Sequence, residues 1–133
     1  MADLAQHPSR SAILEHPDAL DCTLYRPDER DPDADETDLG DARILFRGVF
    51  EPPADWDALE RDEFYGDADP ASFFTAYIEP EAAPGSKQAF VTQVGDFVAT
   101  IPGVQVIMYF VVDYSDDAGS RIYVLQRDDQ LLD

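Results

Sequence analysis

Short runs of β-branched and aromatic residues, separated by clusters of Pro, Gly and Asp, constrain this chain more than any other feature. Leu20 to Arg26 (LDCTLYR) sets Leu20, Cys22 and Leu24 against Asp21, Thr23 and Tyr25. That alternation is the mark of a half-buried strand. Ala42 to Phe50 (ARILFRGVF) reads as a second strand, with Ile44, Phe46 and Phe50 on one face. Gly48 inside it signals a bulge or a close backbone approach. Ser72 to Glu79 (SFFTAYIE) is a third strand, ahead of a Pro/Gly loop over 80–87. Val104 to Tyr114 and Ser120 to Arg127 form a terminal pair joined by Ser115-Asp116-Asp117-Ala118-Gly119, a five-residue hairpin loop.

Helix signals are few. Two His-Pro steps, His7-Pro8 and His16-Pro17, limit the lead 1–19 to a turn or two of helix around Ser11 to Glu15. Asp57 and Glu60 have capping-box spacing at the head of Asp55 to Phe64, where Trp56, Leu59 and Phe64 supply apolar anchors. Gln88 to Ile101 fits two readings. Phe90, Val94, Phe97, Val98 and Ile101 recur at helical spacing, while Gly95 and six β-branched residues favour strand, which we take as the better fit. Five or six strands with one or two short helices predict a mainly β fold, a small barrel or sandwich. Residues 1–19 form an N-terminal arm and 20–133 a single domain carrying an acidic loop over 27–41.

Twenty-one Asp and eight Glu face eight Arg and one Lys, Lys87, for a net charge of −20. Such a surface repels itself until salt screens it, which suits a halophilic, very salty cytoplasm. No basic patch exists to neutralise phosphates, so ordinary nucleic-acid affinity is not expected. Cys22 is the only cysteine, so no intramolecular disulfide forms; between Leu20 and Leu24 it reads as a small core residue. No basic and apolar leader opens the chain, and the run Val106 to Val112 is far too short to span a bilayer. A chain made in the cytoplasm, with no membrane partner, is expected.

Chemistry-bearing constellations are missing. His7 and His16 both lie in the lead, with no convergent ligand set beside Cys22. Asp31, Asp33 and Asp35 resemble the start of an EF-hand loop, but Glu36 occupies the glycine position and Ala42 the twelfth, so the template fails. The phosphate-binding glycine motifs and HExxH do not occur. Phe73, Phe74, Tyr77, Tyr109, Phe110 and Tyr123 fall within strands and read as core filling. We expect no enzyme, no cofactor and no metal site.

Three phrases resemble the head-completion, or head–tail joining (stopper), proteins of tailed viruses. Arg47-Gly48-Val49-Phe50 follows Ile44-Leu45-Phe46; Gly95-Asp96-Phe97-Val98 leads to Ile101-Pro102-Gly103; and Val111-Val112-Asp113 opens a hairpin closing at Ile122-Tyr123-Val124-Leu125. The likeness covers roughly residues 42–127. It implies a β-barrel protomer in a ring between portal or adaptor and tail, and it tips 88–101 toward strand. The partners would be copies of itself and the portal, adaptor and tail proteins, with DNA passing nearby unbound, in the neck of a virion of a halophilic host. A tail-terminator protein of the same neck is the alternative nearest to this, its helical content matching the helical period over 88–101. A free-standing acidic binding module that mimics DNA is the other. Expected contact residues are Asp31, Asp33, Asp35 and Asp38 in the acidic loop, and Asp116, Asp117 and Gly119 at the hairpin tip.

Overall fold

A computed structural model describes residues 9–28, 30–31, 33–101, 104–117 and 120–128, without the side chains of Asp117 and Ser120. Six antiparallel strands close into a barrel: β1 (Leu20–Arg26), β2 (Thr37–Val49), β3 (Phe73–Pro80), β4 (Phe97–Thr100), β5 (Ile107–Asp117) and β6 (Ser120–Arg127). The order around the wall is β1-β2-β3-β6-β5-β4, and β1 closes the ring by pairing with both β2 and β4. Closure is partial in length: β3 and β6 pair only over Phe73–Ala76 and Tyr123–Gln126, and β4 pairs over four residues on each side.

The alternation in β1 works as its residues dictate. Cys22 and Leu24 point inward and are buried, while Asp21 lies exposed on the outside. Inside, Leu24, Ile44, Val98, Val111 and Leu125 are essentially inaccessible, and Ala42 and Ala76 are fully buried among them. Three register shifts bend the wall, at Leu24/Tyr25, Phe46/Gly48 and Val111/Asp113. At the second, Gly48 has φ +143°, which only glycine adopts without strain. The bulge also ends the face expected for the second strand. Phe50 falls outside the sheet and packs instead on Trp56 and Phe64.

Two helices lie on the outside. In α1 (Arg10–Leu14), Ser9 caps the first turn and buries Ile13 against Tyr77, Ile122 and Leu45. In α2 (Ala58–Tyr65), the Asp57/Glu60 capping box forms in both directions. No α2 residue is buried, so an aromatic cluster of Phe50, Trp56, Phe64, Tyr65 and Phe73 fastens the helix to the barrel.

Several expected boundaries shift. β2 begins at Thr37, so the acidic loop ends there and not at residue 41, because Thr37 to Asp41 ladder with Thr23 to Arg26. β5 and β6 stay paired to Asp117 and Ser120, which shortens the expected five-residue hairpin loop. Residues 88–96 form neither a helix nor a strand; only Phe97–Thr100 enters the sheet, and the helical alternative is not taken. No helix among the described residues is long and apolar enough to cross a membrane.

Candidate functional site: a carboxylate-poor stretch and a groove

From Ala82 to Val112, thirty-one residues, the chain carries one carboxylate, Asp96, and its single lysine, Lys87. The other 28 acidic residues belong to the remaining 102 positions. The formal charge of 82–112 is therefore zero, and the whole −20 lies elsewhere. Asp96 does not reach the surface. It is 1% exposed, and its carboxylate accepts from Arg26 Nε at 2.8 Å, Arg26 Nη2 at 2.9 Å and the Gln93 amide at 2.9 Å. Arg26 Nη2 also donates to the Val91 carbonyl at 3.0 Å. A bidentate pair thus ties the irregular segment before β4 to the end of β1. Phe90 anchors the same segment, its ring edge 3.3 Å from where a Cβ on Gly40 (φ +129°) would sit. Only glycine satisfies both that backbone angle and that approach.

Five of the eight large apolar residues that are strongly exposed among the described positions lie in this stretch: Val91, Val94, Ile101, Val104 and Val106. Val104 is 99% exposed. Val91 and Val94 precede β4, whereas Ile101, Val104 and Val106 follow it.

At Val91 runs a groove of two contiguous depressions, about 450 and 320 Å³, which share Arg10, Glu79, Pro80, Phe90 and Val91. The larger is polar, with Arg121, Thr92 and Tyr123 in its lining; the smaller is walled by Ala82, Pro84 and Ala89. Arg10 Nη2 clamps the rim through the carbonyls of Pro80 (2.8 Å) and Ala82 (3.0 Å). Burial pushes the Glu79 carboxyl above its ordinary pKa, with Arg10 opposing the shift. Burial likewise raises the Tyr123 phenol, whose hydroxyl donates to the Thr92 carbonyl at 3.3 Å. The Thr92 hydroxyl is buried without a partner.

The residues expected to make contacts occupy other places. Asp31, Asp33 and Asp35 are exposed in the β1–β2 loop, where Asp31 Oδ1 accepts from the Asp33 amide at 3.1 Å, an ordinary turn contact. Asp38 is not in that loop; it lies on β2 opposite Tyr25. Asp116 pairs with Arg121 at 3.3 Å, and the Asp117 backbone closes the β5–β6 ladder opposite Ser120. Gly119 lies outside the described residues. Because β1 and β5 both run antiparallel to β4, the acidic loop and the hairpin tip leave the same end of the barrel, so topology groups the two sets without joining them. No group of three His, Cys, Asp or Glu arranged to hold a metal occurs among the described residues. Cys22 is buried, and burial with nearby Asp21, Glu81 and Asp41 pushes its thiol up to about 12.

No protein family, curated protein or solved structure matches this chain. The neutral stretch was legible in the sequence. The signal was where carboxylates are missing, while attention to the acidic loop points at where they crowd.

Proposed function

We propose that this chain is a non-catalytic assembly subunit, a head–tail joining protein in the neck of a tailed virus of a halophilic host. One observation carries the reading: a chain of charge −20 keeps a 31-residue stretch electrically neutral and exposes its valines and isoleucine there. Like-charged copies and acidic partners approach each other at lower electrostatic cost through uncharged residues than through a carboxylate coat. The closed barrel matches the protomer implied by the phrases at Arg47–Phe50, Gly95–Val98 and Val111–Leu125. Carboxylates on the remaining surface suit the wall of a channel through which duplex DNA slides without binding.

The test is co-assembly. Purified chain, mixed in roughly molar salt with portal, adaptor and tail proteins of a halophilic tailed virus, is expected to co-migrate on size exclusion and to appear as rings by electron microscopy. Absence of binding to every neck component refutes the reading. The DNA-mimic alternative requires competition with DNA for a DNA-binding enzyme, and capture of such an enzyme would favour it instead.

A further inference from the structure

We infer that α1 is a releasable strap over a fork in the barrel wall: it lifts while the barrel stays folded, and in lifting it uncovers the edges of β3 and β6. This concerns the single chain and holds whatever the chain assembles with. The fork follows from the register. Ala76 and Tyr123 form the last β3–β6 pair, yet β3 runs on to Pro80 and β6 begins at Ser120. β2 and β5 still pair with those two ends on their far sides. Each end therefore keeps one laddered side and turns the other toward the fork. Edges of that kind are templates for an added strand, and a covering helix is one way to blunt them.

Ile13 stands in the fork. If the ladder continued, its next pair would be Tyr77 with Ile122, and Ile13, 2% exposed, clusters with those two side chains. The depression of about 450 Å³ opens from the same place, with Glu79 and Pro80 lining it from β3, Arg121 from β6, and Arg10 and Ile13 from α1. Arg10 reaches over to the end of β3, where its Nη2 donates to the carbonyls of Pro80 at 2.8 Å and Ala82 at 3.0 Å.

What holds the strap is separate from what holds the barrel. A five-residue helix does not stand alone in water, so α1 keeps its form only while docked. Ile13 is its one buried side chain, and none of its residues joins a ladder. Its far end is pinned, because Arg43 Nη2 donates to the carbonyls of His16 at 3.4 Å and Ala19 at 2.8 Å. Loss of the Arg10 and Ile13 contacts thus frees residues 9–15 as a flap hinged at His16, and no sheet hydrogen bond breaks. Elements with few buried contacts are the first to open.

Thiol labelling of the full chain in roughly molar salt tests the strap, with circular dichroism as the fold control. Ile122→Cys places a thiol beneath Ile13, and native Cys22, buried inside the barrel, is the internal reference. Tyr77→Cys, on the other side of the fork, gives the same reading should the first variant not fold. The introduced thiol is expected to label at least about tenfold faster than Cys22, since it needs only the strap to lift. Adding Arg10→Gln, at a side chain 34% exposed, or Ile13→Ala is expected to speed that labelling at least about tenfold further and to leave Cys22 unchanged. Equal rates at the two thiols show that the strap lifts only when the barrel unfolds, and overturn the inference. A matching gain at Cys22 in the strap variants shows that they loosen the whole barrel, and overturns it too. No gain at the introduced thiol in either variant shows that something other than α1 covers the fork, with the same consequence.

Discussion

Removing Arg26 is expected to cost more than removing Asp96, and the difference follows from burial. The Asp96 carboxylate is 1% exposed and has three donors, two of them from Arg26. Arg26→Ala strands a buried anion with only the Gln93 amide, a loss of about 3–5 kcal/mol. In Asp96→Ala the guanidinium, 34% exposed, keeps the Val91 carbonyl and gains water. That change costs about 2–3 kcal/mol, for the lost charged hydrogen bonds and the orphaned Gln93 amide. The double variant leaves no buried charge and is expected to be no worse than Arg26→Ala, giving a coupling of about 3 kcal/mol in the cycle. Urea unfolding followed by Trp56 fluorescence measures each value. With a slope of about 2 kcal/mol/M, Arg26→Ala lowers the midpoint by roughly 2 M. Because the pair is buried, the coupling is expected to persist in molar salt, where exposed pairs are screened away. Additive single effects, or an Arg26→Ala cost below about 1 kcal/mol as for a surface pair, refute the latch.

Other outcomes follow from the same structure. Cys22 is expected to resist thiol reagents in the native state and to react at the rate of unfolding; rapid labelling at neutral pH would show that it is not held inside the barrel. Its folded pKa of about 12 exceeds the ordinary 9.0, so the fold binds that proton more tightly than the unfolded chain does. That contribution is whole below about pH 9 and is lost as pH rises toward 12, so Cys22→Ser is expected to flatten the alkaline decline in unfolding midpoint. Stability is expected to rise between roughly 0.1 and 1 M KCl as screening shortens from about 10 to 3 Å, and a fall over that range would contradict charge repulsion as the dominant surface term. Phe64→Ala removes a ring lying 5.4 Å from Trp56 and 5.3 Å from Phe73. A loss of about 2 kcal/mol is expected for this half-buried side chain. The Trp56 emission should shift to the red, and an unchanged spectrum would show that α2 is held by something else.

Strand identity was legible from alternation in β1 and from short apolar runs bounded by turn residues in β3 and β6, and the α2 cap from Asp57 and Glu60, because those signals act between neighbours in the chain. The Gly48 bulge was equally local. The opening of β2 was hidden because Thr37 to Asp41 has no apolar period; those residues are held as strand by the ladder with β1, a partner the local pattern does not name. Residues 88–96 carry mixed helical and β signals that cancel. Their path is decided by Arg26, 65 residues before Val91 in the chain, and by Phe90 settling on Gly40.

Composition and periodicity by themselves therefore determined a β-rich body in a carboxylate coat, with one neutral stretch running from Ala82 to Val112. Closure of the barrel, burial of the single carboxylate in that stretch, and the outward turn of Val104 were decided only in three dimensions. The physical reason is reach. Alternation and capping are fixed by residues a few positions apart, whereas the β1–β4 pairing and the Arg26–Asp96 pair join segments some seventy residues apart, and only the folded chain brings them within hydrogen-bonding distance.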